Sequence, residues 1–135
     1  MYYIFISHSW KYGDLYEQLN ILLKKAPYFT YKNFSVSQDK PLIIYNKEYY
    51  ENELRNKIKN QMRTCNVVLI LAGVFASYSD SIKMEISIAN ELGKPIIAVE
   101  PWGSEKTSQI VKINAQTIVK WNTSSIVSAI REYSL

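Results

Sequence analysis

The sequence is poor in the residues that build cross-linked or repetitive proteins. Its 135 residues include one cysteine, four glycines and four prolines, which excludes a disulfide-stapled scaffold, a collagen-like repeat and a low-complexity chain. Cys65 has no partner within the chain, in keeping with a reducing compartment. One histidine, His8, and one cysteine are too few for a structural zinc site, so no metal is expected. The longest apolar run, Val67 to Ala72, stops at Gly73, far short of the roughly 18 residues that span a bilayer. The start, Met1-Tyr2-Tyr3-Ile4, lacks the basic stretch and cleavage site of a secretory leader. The expectation is a soluble cytoplasmic protein without a membrane partner.

What is present suits a single domain over residues 1–135, with 47% apolar and 21% charged residues. Lys and Arg number 16 against 12 Asp and Glu, a net charge of +4. The basic residues are scattered, as at Lys24, Lys25, Lys57, Lys59, Arg63, Lys94 and Lys106. A nucleic-acid partner calls for basic residues gathered on one face beside aromatics, and their dispersal argues against one.

Apolar runs of strand length alternate with amphipathic runs of helix length. Tyr3-Ile4-Phe5-Ile6 is continuously apolar, as a strand covered on both faces is. Asp14, with Glu17 three residues on, resembles a capping box and opens a helix striped by Leu15, Leu19, Leu22 and Leu23 that ends before Pro27. A weak strand is expected at Phe34 to Val36. Asn46 then caps a helix presenting Tyr50, Leu54, Ile58 and Met62. Val67 to Leu71 is the strongest strand. A helix from about Ser81 to Leu92 stops at Gly93, with Pro95 beyond. Ile96 to Val99 and Thr117 to Val119 read as strands separated by a loop, and Ser124 to Tyr133 as a closing helix. This order predicts an α/β three-layer sandwich, flavodoxin-like or Rossmann-like, with a mostly parallel five-stranded sheet. Ligands of such sheets sit beyond the carboxyl ends of the strands, which directs attention to the turns after Ile6, Val36, Ala72 and Val99.

Those turns lack several familiar devices. Neither G-x-G-x-x-G nor G-x-x-x-x-G-K-[ST] occurs. The third strand ends Leu71-Ala72-Gly73, without the carboxylate that a phosphate-accepting receiver domain needs. No serine sits in a G-x-S-x-G elbow, so His8 has no identifiable nucleophile to serve and reads as a polar turn residue, with lining of the site as its functional alternative.

The informative residue is Glu85. At 100° per residue, Ile82, Ile86, Ile88, Ala89 and Leu92 occupy one arc of roughly 160°, and Glu85 falls about 20° from its middle. Lys83, Ser87, Asn90 and Glu91 take the opposite face, where Glu91 reads as a solvated charge. A carboxylate aimed at the sheet costs several kcal/mol unless compensated. Two compensations stay open: a structural partner such as loop amides near the helix start, or a site that opens to a ligand.

Four stretches share a further property. Phe5-Ile6-Ser7-His8-Ser9-Trp10 is similar to the first-strand motif of TIR domains, and Tyr78-Ser79-Asp80-Ser81-Ile82-Lys83-Met84-Glu85-Ile86 to their catalytic-helix motif. With Gly93 to Gly103 and Val119 to Val127, the whole chain resembles the bacterial TIR-like family that includes the signal-producing component of Thoeris anti-phage defence. The resemblance implies a TIR-like fold and cleavage of the nicotinamide-ribose bond of NAD, with no cofactor beyond NAD as substrate. It also implies a cyclic ADP-ribose-type product that reaches an effector protein by diffusion. It makes Glu85 the catalytic carboxylate, with Phe5 and Ser7 beside it. Many TIR helices carry Trp four residues before the Glu, where this chain has Ser81. Stacking on a base or nicotinamide ring then falls to Trp10, Tyr78, Trp102 or a second subunit.

Trp10 and Trp102 lie in post-strand turns and either touch ligand or cover sheet ends. Trp121 reads as packing. Tyr45, Tyr49 and Tyr50 form an amphipathic surface open to a homo-oligomer interface. Two other functions remain in view: a non-catalytic TIR adaptor acting by homotypic association, and a nucleoside deoxyribosyltransferase-like enzyme with a glutamate nucleophile.

Overall fold

The computed structural model describes residues 1–7, 13–35, 47–71, 79–100 and 109–135; the side chains of residues 13–14, 47–50 and 79–81 are not among those described. Strands β1 (Tyr2–Ser7), β2 (Tyr31–Phe34), β3 (Val67–Leu71), β4 (Ile96–Glu100) and β5 (Thr117–Lys120) alternate with helices α1 (Gly13–Lys24), α2 (Lys47–Met62), α3 (Ser79–Glu91), α4 (Gln109–Asn114) and α5 (Thr123–Tyr133). The sheet order is β2-β1-β3-β4-β5, and every pairing is parallel. The fold is therefore α/β with a parallel sheet at its centre. β1, β3 and β4 carry the continuous apolar runs that burial on two faces requires, and all five residues of Val67–Leu71 are buried.

Helices α1 and α5 touch on one side of the sheet, while α3 contacts both α2 and α4 on the other. The stripe of α1 is inward as expected, with Leu15, Leu19 and Leu23 buried and Leu22 packed against the core. On α2, Ile58 and Met62 are fully buried and Leu54 partly so. Two ion pairs tie α2 to α3 through Glu91: Lys59 Nζ at 2.6 Å and Arg55 Nη2 at 3.1 Å. Such half-exposed pairs contribute less than about 1 kcal/mol each, against roughly 2 kcal/mol for each fully buried apolar side chain, so the apolar stripe sets how α2 docks.

Helix α3 ends as its glycine predicts. Gly93 adopts φ +68, and the bonds Lys94 N–H to Ala89 C=O (2.8 Å) and Gly93 N–H to Asn90 C=O (3.2 Å) form a Schellman motif. Asn122 caps α5 by accepting from the Ser125 amide at 2.8 Å. Trp121 packs partly buried against the core.

Two elements differ from the sequence expectation. The second strand lies at Tyr31–Phe34 rather than at Phe34 to Val36, and Val36 is outside the described residues. Its placement follows side-chain partners that a local pattern does not reveal: the Tyr31 hydroxyl donates to Asn20 Oδ1 at 2.8 Å, and Phe29 stacks on Tyr2. The segment before β5 holds α4, a six-residue helix that buries Val111 and is too short to display a helical period. Asn46 and Tyr45 are outside the described residues, as are the side chains of Tyr49 and Tyr50.

Asn20 ties α1 to the edge strand. Its Oδ1 accepts from Tyr31 and also from Asn33 Nδ2 at 2.7 Å, and its own Nδ2 donates to the Tyr16 carbonyl at 3.0 Å. Asn20→Ala removes all three bonds at a position only 8% exposed. A loss of about 1–3 kcal/mol is expected. Urea unfolding should show it as a lower midpoint with an unchanged slope, and an unchanged midpoint would refute it.

Candidate active site

The chain order leaves one place in the sheet where successive connections diverge. From β1 the chain crosses to β2 on one side, whereas β3, β4 and β5 proceed to the other. The crevice between the carboxyl ends of β1 and β3 is the topological switch point, the usual ligand position in open α/β sheets. Ser7 is the last residue of β1, and α3 is the helix that follows β3.

Glu85 lies in the second turn of α3 and is 2% exposed. Its neighbours explain why. Ile82, Ile86, Ile88 and Ala89 are buried, and Lys83, Ser87, Asn90 and Glu91 are exposed. The carboxyl group therefore points inward, and the Ser7 hydroxyl hydrogen-bonds it. Side chains two apart in a strand share a face, so Phe5 faces the α3 layer with Ser7. Their register partners Val68 and Ile70 share that face, as does Ala98 beside Ile70. All four of these companions are apolar and buried. Ser7 supplies the polar group on this patch of the sheet.

The electrostatics follow from that setting. Burial pushes the Glu85 carboxyl up to about 8, opposed by the hydrogen bond from Ser7. Its Oε2 is buried and has no hydrogen-bond partner among the described residues. Glu91, six residues along the same helix, is the opposite case. Hydrogen bonding from Lys59, with the charge of Lys59 and the Arg55 guanidinium, holds it below the usual carboxylate range. Glu91 is thus an exposed ion-paired carboxylate, and Glu85 a desolvated one. Buried polar atoms are nearly always paired, so a carboxyl oxygen without a partner among the described residues makes the switch point the candidate site.

Of the residues singled out in the sequence, the structure sets Ser7 against Glu85 and places Phe5 on the same face of the sheet as Ser7. Ser81 lies in the first turn of α3, and its side chain is outside the described residues. His8, Trp10, Tyr78 and Trp102 are also outside them. Among the described residues, a surface hollow of about 320 Å³ lies between the end of α1 and α5, lined by residues including Lys25, Ser124 and Arg131, and another of about 520 Å³ lies beside β2. Neither is lined by Glu85. Among the described residues no group of His, Cys, Asp and Glu is arranged to hold a metal ion, and no helix is long and apolar enough to cross a membrane. The contact of Ser7 with Glu85 was not deducible from spacing. The available signal was a lone serine ending a buried apolar strand.

A parallel sheet ordered 2-1-3-4-5 with helices packed on it defines a flavodoxin-like α/β domain. Residues 5–106 match the family described as Thoeris protein ThsB, TIR-like domain. The chain belongs to that Thoeris-associated defence family. No curated protein matches the sequence. Among solved structures, the fold is similar to a 3-dehydroquinate dehydratase-like protein from Bifidobacterium longum, with a TM-score of 0.56, 11% identity, and 98% of this chain and 95% of that one covered. It is also similar to the CMP N-glycosidase BcmB from Clostridium botulinum, with a TM-score of 0.53, 12% identity, and coverage of 97% and 98%.

Proposed function

We propose that this chain is an NAD-consuming enzyme that cleaves the nicotinamide-ribose bond and forms a cyclic ADP-ribose-type signal in anti-phage defence. The observation that carries the reading is Glu85, buried at the switch point with Oε2 unpartnered among the described residues. The resemblance to TIR enzymes assigns the reaction, and membership of the Thoeris family supports the role in defence.

The chemistry suits a site with one carboxyl group. Nicotinamide leaves a cationic pyridinium as a neutral molecule, so the leaving group needs no proton donor. What develops is positive charge on the ribose carbon, as in glycoside hydrolysis, and the demand is for a fixed negative charge beside it. A desolvated carboxylate is poorly stabilised by itself and is relieved by a cation. The pyridinium, and more so the oxocarbenium-like ribose, therefore favours the ionised form of Glu85 as the reaction proceeds. Phe5 supplies an apolar wall beside it. Attack by water then yields ADP-ribose, whereas attack by a hydroxyl of the same molecule in a water-excluding pocket yields a cyclic product. That product would reach its effector protein by diffusion.

Mass spectrometry of small molecules from cells carrying the wild-type chain, before and during phage infection, tests the reading. Nicotinamide release together with a cyclic product is expected. The purified protein is then assayed against NAD and CMP, the latter the substrate in the name of one fold neighbour. CMP cleavage without NAD turnover would replace the substrate assignment. Intact NAD in both settings, with defence preserved, would leave the adaptor function.

A further inference from the structure

A buried carboxyl group on a helix needs something to fix its orientation before it can act on a ligand. Glu85 has rotatable bonds, an apolar floor of Phe5, Val68, Ile70 and Ala98 beneath α3, and one polar contact among the described residues, the Ser7 hydroxyl. Ser7 is 4% exposed and ends a strand whose preceding three residues are fully buried, so its own position is set by the sheet. A serine hydroxyl has one proton to donate, and here the adjacent acceptor is the Glu85 carboxyl group. Among the described residues Oε2 remains without a partner.

We propose that Ser7 is a positioning residue acting through Glu85: its hydroxyl donates to the carboxyl group, holds it on the sheet side, and leaves Oε2 directed to the ribose of the bound nucleotide. This role rests on the NAD reading above and is distinct from direct contact of Ser7 with the substrate. A strand end is a better support for such a contact than a loop, because the pairing of β1 with β3 extends to Ser7, opposite Ile70.

Ser7→Ala, Ser7→Thr and wild type, each checked for folding by circular dichroism, test the role. In Ser7→Ala, kcat for NAD is expected to fall roughly 10- to 100-fold with KM nearly unchanged. The acidic limb of its pH–rate profile should move to higher pH, because a bond that favours the carboxylate is gone. Ser7→Thr keeps the donor and should return the limb to its wild-type position. A raised KM with kcat and the limb unchanged would assign Ser7 to substrate contact and overturn the proposal, as would an Ala variant identical to wild type. A second readout needs no turnover: carbon-13 NMR titration of the Glu85 carboxyl. Its midpoint should rise in Ser7→Ala, and an unmoved midpoint overturns the proposal. Should wild type fail to consume NAD, the NAD reading falls, while the titration still decides whether Ser7 governs Glu85.

Discussion

Glu85→Gln is expected to lower nicotinamide release from NAD by about 100-fold or more while the protein stays folded. Glutamine keeps the length and shape of the side chain and accommodates the same Ser7 neighbour, but it cannot carry negative charge beside the ribose carbon. Removing one preorganised electrostatic group from a water-excluded site commonly costs about 10²–10³ in rate. Glu91→Gln is the control. It removes a carboxylate from the same helix, yet its partners Lys59 and Arg55 are on α2, and turnover within about twofold of wild type is expected because exposed ion pairs contribute little. Chromatographic quantification of nicotinamide over one time course decides the matter. A Glu85→Gln enzyme that retains more than about a third of wild-type activity would remove Glu85 from the chemistry.

The same substitution is expected to stabilise the protein, most strongly at alkaline pH. An unfolded glutamate titrates near 4.5, and burial raises the folded value to about 8. Between these two values the native state binds more protons than the unfolded state, so wild-type stability declines as pH rises from about 4.5 to about 8 and levels off above that. The contribution is on the order of a few kcal/mol. Glu85→Gln lacks this titration. Urea unfolding of both proteins at pH 5 and pH 9 should show a gap that widens toward high pH in favour of the variant. Parallel pH slopes in the two proteins would show that Glu85 is not desolvated in solution. A site residue whose loss strengthens the fold is the expected cost of holding a reactive group out of water.

Much of the frame was legible because it depends on short-range patterns. Val67–Leu71 is apolar without interruption and occupies the centre of the sheet. The stripe of Leu15, Leu19 and Leu23 is buried where a period of 3.6 places it. The inward direction of Glu85 followed from the same arithmetic on α3. Elements that depend on distant partners were not legible in this way. The second strand is placed by Asn20 and the aromatic stack around Phe29, and α4 is too short to carry a period. Glu91 looked like a solvated charge, and its two cations come from a helix more than 30 positions earlier in the chain.

The candidate site divides along the same line. The sequence by itself determined that a carboxylate sits on the apolar face of the third helix and that the sheet is parallel, because side-chain periodicity and the order of apolar runs are properties of neighbouring residues. Only the tertiary structure decided what that carboxylate meets. Ser7 and Glu85 are brought together by the insertion of β1 between β2 and β3, and strand order is settled by the packing of the whole chain. The raised proton affinity of Glu85 and its unpartnered oxygen belong to that packing, since desolvation exists only once the layers have closed around it.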